Sequence, residues 1–209
     1  MRVLLLALIS LALASVYAVL RYHDVFFGVH PADQLPLYIL NKAVSWAALV
    51  MIALAVGARP IARLSADKLA WLKRDRRAIG MIGFGFAAVH SAMSFALLSP
   101  SYYGKLYLES GKMNTWGELS MLTGIVGMAL LVWQANLAKA NHGEARRTLR
   151  RLGWSVLGLT AVHVAAMGWP GWLEPSAWPG GLPPITLWSF VVALTGLVLG
   201  VIPVGRSPQ

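Results

Sequence analysis

Six long runs of residues that are almost free of charge constrain the fold of this chain more than any other feature. A helix rises about 1.5 Å per residue, so runs of this kind are long enough to cross a bilayer core of roughly 30 Å. The runs cover approximately residues 3–20, 43–58, 78–99, 117–137, 152–170 and 185–205. We therefore predict an all-α fold, a polytopic membrane protein built as a bundle of six transmembrane helices.

The composition agrees with a membrane protein. Hydrophobic residues make up 57% of the chain and charged residues only 12%, whereas soluble domains carry about a quarter charged residues. The chain has no cysteine, which excludes disulfides and thiolate chemistry. We attribute the net charge of +10 to membrane topology and not to nucleic-acid binding. Because no linker or tandem repeat is visible, residues 1–209 are interpreted as a single domain.

The Lys and Arg residues are unevenly distributed between the loops. Twelve fall in the loops after the second and fourth runs, and four fall in the three opposite loops. Positive residues accumulate on the cytoplasmic side, so this bias predicts that both termini are cytoplasmic. We interpret the basic clusters as topology determinants that contact membrane lipids. The four residues expected in outer loops are Arg21, Lys42, Lys105 and Lys112.

The first run also has the residue order of a secretory signal peptide. Met1-Arg2 precedes an apolar segment that ends at Val16-Tyr17-Ala18, and cleavage after Ala18 would leave five spans. We favour an uncleaved first helix, because a protein with several spans does not need a cleaved signal to insert.

Two of the five histidines, His90 and His163, lie well inside the predicted spans. Each is twelve or thirteen residues from the cytoplasmic arginines of its own span, which places both about 18 to 20 Å along a helix and therefore at matching depth. An intramembrane histidine either makes a structural hydrogen bond between helices or marks a functional site. Two at one depth on separate helices favour the functional interpretation.

The helical neighbours of the two histidines predict the lining of a pocket. Residues within two turns of them lie on the same helix faces. Small residues there would admit a flat, bulky group, although they would equally allow two helices to pack closely. The candidate lining residues are Gly83, Phe86 and Ser94 beside His90, and Thr160 and Met167 beside His163.

Two neutral imidazoles facing each other are the axial ligands that a six-coordinate haem iron requires. A structural zinc ion would need two further ligands, and no Cys, Asp or Glu lies at this depth to supply them. A proton relay would need a carboxylate partner, and the spans contain no Asp or Glu apart from Glu118 at an edge. His23 and His30, in the first outer loop, could form a surface metal site with Asp24 and Asp33. Solvated loop side chains are the simpler interpretation of those two histidines.

The third predicted span resembles a known family. The paired Arg76 and Arg77, with Gly80 three positions on and His90 thirteen positions after Arg77, look like the third helix of the ferric reductase-like transmembrane domain. That family includes ferric reductases, NADPH oxidases and the haem-binding membrane subunit of the bacterial periplasmic methionine sulfoxide reductase system. The resemblance covers roughly residues 40–170. It implies an oxidoreductase subunit of electron transport in the bacterial inner membrane.

The resemblance also implies which residues hold the cofactor. The segment that begins at Leu149-Arg150-Arg151-Leu152 is similar to the family's fifth helix, with His163 as its outer histidine. His90 and His163 would then be the iron ligands. Arg150 stands where the family commonly has an inner histidine, and a guanidinium has no lone pair to offer iron. We therefore expect one haem b near the outer surface.

If the resemblance holds, the electron donor and the electron acceptor must be separate molecules. Flavin-linked members of the family carry an FAD and NAD(P)H module, but this sequence contains no Gly-rich dinucleotide-binding turn. The expected donor is a separate reductase, a bound flavin or quinol, and the expected acceptor is a periplasmic protein or a ferric chelate. The alternative is a cofactor-free membrane carrier or assembly scaffold in which the two histidines are structural.

Overall fold

The structure is a computed structural model that describes residues 1–65, 68–140 and 145–201. Helices account for nearly all of this part of the chain, and it contains no β-strand, so the predicted all-α fold is confirmed. The α-helices are α1 (Arg2–Tyr22), α2 (Leu40–Leu64), α3 (Ala70–Ala96), α4 (Pro100–Tyr103), α5 (Thr115–Ala140), α6 (Ala145–Trp172) and α7 (Ile185–Val201).

Six of these helices are long and apolar enough to cross a membrane, which confirms the six predicted spans. They are α1, α2, α3, α5, α6 and α7, while α4 is a single turn in an outer connection. The chain is therefore a multi-pass membrane protein. The expected end of the last span, residues 202–205, lies outside the described residues, as does His142.

Two helices begin earlier than the uncharged runs. Helix α3 starts at Ala70 and α6 at Ala145, so most of the basic residues expected in loops lie in the first turns of these helices. Long Lys and Arg side chains favour helices and extend from a helix end toward the polar interface, so charge alone does not mark the boundary.

Helix α2 forms the centre of the bundle and packs against α1, α3 and α7. Its buried face is made largely of alanine, and small residues allow neighbouring backbones to approach closely in a membrane. The fully or almost fully buried alanines of α2 are Ala43, Ala47, Ala48, Ala53, Ala58 and Ala62.

The remaining helices divide into two groups around α2. Helix α3 packs along one side of α2, whereas α5, α6 and α7 form a second group in which α6 contacts both α5 and α7. Within the described residues, α3 makes limited contact with α5 and almost none with α6. Because α3 carries His90 and α6 carries His163, the two histidines come from helices that do not pack directly on each other.

Two of the four basic residues expected in outer loops are in helices instead. Arg21 is in the last turn of α1 and is buried, and Lys42 is in the first turn of α2. The expected placement in loops was therefore wrong for this pair. The aromatic rings of Tyr22, Tyr38 and Tyr103 surround the ammonium group of Lys42.

Candidate functional site

His90 is oriented by Asn41, which lies in the first turn of α2. The imidazole Nδ1 of His90 is 2.7 Å from the amide oxygen Oδ1 of Asn41. The same amide donates from Nδ2 to the hydroxyl of Ser94, at 2.9 Å, and more weakly to the hydroxyl of Tyr103, at 3.4 Å. Asn41 is only 1% exposed. Its amide group is therefore held in one orientation, with the oxygen facing the histidine.

This orientation determines the tautomer of His90. An amide oxygen can only accept a hydrogen bond, so Nδ1 must carry the proton and donate it to Asn41. In a neutral imidazole the other nitrogen, Nε2, then keeps its lone pair. The described residues provide no hydrogen-bond partner for that Nε2 atom.

His163 has the same arrangement with a backbone partner. Its Nδ1 lies 2.8 Å from the carbonyl oxygen of Ser120 on α5 and 3.1 Å from the Ser120 hydroxyl. A carbonyl oxygen only accepts, so Nδ1–H is the donor and Nε2 again keeps its lone pair. The hydroxyl of Thr123 lies 3.0 Å from this carbonyl oxygen and 2.7 Å from that of Leu119, so its proton is shared between the two. The backbone at Ser120 is therefore a fixed acceptor for the imidazole.

Gly124 makes room for the ring of His163. A Cβ atom at Gly124 would lie 3.2 Å from both Cε1 and Nδ1 of the imidazole. That separation is tighter than ordinary van der Waals contact, so any larger residue would displace the ring. The absence of a side chain on α5 is thus part of what sets the position of the histidine on α6.

Both imidazole rings are half-buried, and each reaches across a helix pair, His90 toward α2 and His163 toward α5. With Nδ1 occupied in each, the two available nitrogens are the Nε2 atoms. A pair of Nε2 lone pairs on separate helices is a donor set suited to a six-coordinate metal in a planar macrocycle. The residues present therefore fit haem.

The other predicted lining residues have different environments. Ser94 is hydrogen-bonded to Asn41 and lies 3.4 Å from Nδ1 of His90, so it belongs to the histidine's network. Gly83 is buried against α2, where a Cβ would come within 2.9 Å of Ile52 Cγ1. Phe86 packs with the cluster that includes Met51. Gly83 and Phe86 thus lie at helix packing contacts.

The two predicted residues on α6 also differ from each other. The Thr160 hydroxyl donates within its own helix to the carbonyl of Val156, at 2.8 Å. Met167 packs against the buried cluster at the outer end of the bundle, which contains Leu97 and Tyr103. Of the five predicted lining residues, only Ser94 is bonded to a histidine or to the group that orients it.

Asn41, Ser120 and Gly124 were not predicted as site residues. Asn41 offered a signal, since an amide side chain at the start of an apolar span is rare and needs a partner. Ser120 acts mainly through its backbone carbonyl and Gly124 through the lack of a side chain. Neither of these features can be recognised without the relative positions of α5 and α6.

His23 and His30 are not solvated loop residues. His23 is 8% exposed, with Nδ1 3.0 Å from the carboxylate of Asp24. His30 is half-buried, with Nδ1 2.8 Å from Gln34 Oε1. Burial lowers the pKa of His30, and the hydrogen bond that Nδ1 donates to Gln34 Oε1 only partly opposes this effect. No group of three or more potential metal ligands converges anywhere in the described part of the chain.

Near the start of α6, Arg150 stacks on an aromatic ring. Its guanidinium carbon lies 5.2 Å from the ring centre of Trp154, one turn further along α6. This cation–π contact holds the Arg150 side chain against an indole.

No protein-family model matches the chain, and no curated protein matches it.

Proposed function

We propose that this chain is a membrane b-type haem protein that transfers electrons from a separate donor toward an acceptor on the outer side of the membrane. The observation that carries the proposal is that His90 and His163 have the same tautomer and the same free nitrogen. Each donates its Nδ1 proton to a fixed oxygen, of Asn41 or of Ser120, and keeps Nε2 free. The resemblance to the ferric reductase-like transmembrane domain supports the same conclusion.

The two hydrogen bonds would tune the iron as well as orient its ligands. A histidine whose Nδ1–H is bonded to an oxygen acceptor is a more basic ligand through Nε2. Loss of such an acceptor typically lowers metal affinity about 10- to 100-fold. Haem b would supply a one-electron carrier at this position. The protein's contribution is to fix both imidazoles, to exclude water through the apolar helices around them and to keep Nε2 deprotonated.

We propose one haem per chain, located nearer the outer surface. Arg150 faces Trp154 and has no lone pair for iron, so an inner haem would lack a ligand on α6. The electron donor is then a separate reductase, a flavin or quinol in the bilayer. The acceptor is a periplasmic protein or a ferric chelate.

The location that fits this function is the bacterial inner membrane, with both termini in the cytoplasm. Positively charged residues accumulate at the inner ends of the helices, as in the first turns of α3 and α6. His90 and His163 would then lie in the outer half of the membrane, on the side of the proposed acceptor.

The test is a reduced-minus-oxidised visible spectrum of the purified protein, with haem quantified per chain. We expect one haem b in the wild type, loss or conversion to high spin in His90→Ala and His163→Ala, and no change in the matched histidine control His142→Ala. Two haems per chain would show that another ligand exists. A wild type without haem, expressed under ample haem supply, would refute the proposal and favour a cofactor-free carrier or scaffold.

A further inference from the structure

Three basic residues converge at the outer end of the bundle without an acidic partner. Arg21 of α1 is 9% exposed, and its guanidinium carbon lies 5.2 Å from the ring centre of Tyr22. The ammonium nitrogen of Lys42 lies 4.9 Å from the centre of the same ring. Lys105, in the connection between α4 and α5, lies two residues after Tyr103, whose ring also contacts Lys42. Three different segments thus bring positive charge to one place.

Aromatic rings surround Lys42. Its Nζ atom is 4.1 Å from the ring centre of Tyr38 and 5.9 Å from that of Tyr103, in addition to its contact with Tyr22. Such rings attract a cation through their π faces, but they carry no net charge and cannot neutralise it. The rings therefore hold the ammonium group in position without supplying a counter-charge.

The described part of the chain supplies no counter-ion for this cluster. No carboxylate oxygen lies within 4.0 Å of Arg21, Lys42 or Lys105 in it. The Nε atom of Arg21 is buried and lacks a hydrogen-bond partner. Burying an unpaired charge and an unsatisfied donor is costly unless a ligand satisfies them. The unpaired donors therefore point to an anion bound at this position.

The cluster adjoins the group that orients His90. Lys42 directly follows Asn41 in α2, and the hydroxyl of Tyr103 is 3.4 Å from the Asn41 amide that holds the imidazole. Tyr103 therefore contacts both the cation and the histidine's partner. The positive charges therefore lie next to the hydrogen-bond network that orients His90.

We propose that Arg21, Lys42 and Lys105 form an anion site that binds the propionate carboxylates of the haem held by His90 and His163. This inference rests on the proposed function. Carboxylates are the only charged groups of haem b at its edge, and hydrogen bonds between charged partners are roughly twice as strong as neutral ones. The site would fix the direction in which the haem edge points and complete the charge balance of the outer end.

The experiment measures haem affinity of the full-length protein in detergent for the wild type, Lys42→Met and the matched control Lys112→Met. Lys112 is another lysine expected on the outer side, and it is exposed. We expect Lys42→Met to weaken haem binding at least about ten-fold, because one partner of a buried charge pair is removed. Lys42→Arg should restore most of the affinity, and Lys112→Met should change it little.

Two further arms identify the anion. Haem dimethyl ester, whose propionates are uncharged, should bind the wild type and Lys42→Met equally well. The haem-free form of Lys42→Met should be as stable as the wild type or more stable, since an unpaired buried charge has been removed. A residue with only a structural role would instead lower both the stability and the binding of the ester.

The outcomes separate this inference from the proposed function. If the wild type binds haem and Lys42→Met binds it equally tightly, the anion site is refuted while the haem protein stands. If Lys42→Met keeps its haem affinity but loses thermal stabilisation by phosphatidylglycerol micelles, the anion is a lipid phosphate and the inference is wrong. A wild type that binds no haem overturns both.

Discussion

Asn41 and His90 are joined by a hydrogen bond of 2.7 Å that links the outer ends of α2 and α3. The bond does more than connect two helices, since the acceptor oxygen forces the proton onto Nδ1 of the imidazole. The Nδ1–H of His163 likewise donates to a backbone carbonyl oxygen 2.8 Å away. Two different parts of the fold thus hold both histidines in the same tautomer.

Replacing Asn41 by leucine should weaken haem binding without removing the ligand. The Nδ1 proton of His90 would lose its acceptor, the ring would be free to turn, and haem retention should fall by about 10- to 100-fold. The rate of haem transfer to apomyoglobin measures this loss. Asn41→Asp keeps an oxygen acceptor and is expected to retain haem better than Asn41→Leu. Equal retention in the wild type and Asn41→Leu would mean that the hydrogen bond has no role in ligation.

A methyl group at Gly124 should disturb His163 specifically. Its Cβ would lie 3.2 Å from two atoms of the imidazole, so the ring must shift by a few tenths of an ångström. We expect Gly124→Ala to give a partly high-spin spectrum and to shorten haem retention several-fold. Gly127→Ala is the matched control on α5, because its Cβ would lie at an ordinary 3.9 Å from Leu159 Cβ. Identical spectra of the two variants would contradict the position assigned to His163.

Two glycines of α3 should respond in opposite directions to alanine. At Gly83 the new Cβ would meet Ile52 Cγ1 at 2.9 Å and the Ile52 backbone nitrogen at 3.1 Å, and overpacking of this kind costs about 1 to 3 kcal/mol. At Gly85 no atom lies within 4 Å, so alanine should stabilise the helix by up to about 1 kcal/mol. Unfolding of both variants in a detergent titration measures the difference. A destabilised Gly85→Ala beside an unaffected Gly83→Ala would invalidate the α2–α3 packing.

The orientation of the protein can be tested by thiol labelling, because the sequence contains no cysteine. Ser110→Cys places a thiol in the exposed connection before α5, and Lys68→Cys places one in the connection before α3. With both termini cytoplasmic, a membrane-impermeant maleimide should label the first variant in spheroplasts and the second only after lysis. The reverse pattern would place the histidines in the inner half of the membrane.

The sequence was sufficient to predict the all-α fold and the number of spans. Both follow from a strong local signal, the long uncharged runs. The matching depth of His90 and His163, inferred from their distance to basic residues, stays a prediction. Helix ends were less predictable at α3 and α6, since Lys and Arg continue a helix beyond the apolar region. Helical periodicity placed Gly83 on the same face of α3 as His90. Gly83 packs closely against α2, and periodicity within one helix could not show that contact.

The partners of the histidines could not be predicted because they lie on other helices. Asn41 is 49 residues from His90, and Ser120 is 43 residues from His163. Spacing along one helix cannot reveal such pairs. The aromatic environment of Lys42 could not be predicted for the same reason. The three rings that contact its ammonium group come from α1, from the segment before α2 and from α4. Interhelical contacts of this kind depend on the packing of the whole bundle.

The central claim, that His90 and His163 bind the same iron, is tested most directly by low-temperature electron paramagnetic resonance of the oxidised protein. The wild type should show one low-spin signal, and His90→Gly and His163→Gly should each convert that whole signal to high spin. Added imidazole should restore the low-spin signal in both variants by entering the space left by the side chain. A low-spin signal that persists in either variant, or that falls by half in each, would contradict a single iron shared by the two histidines.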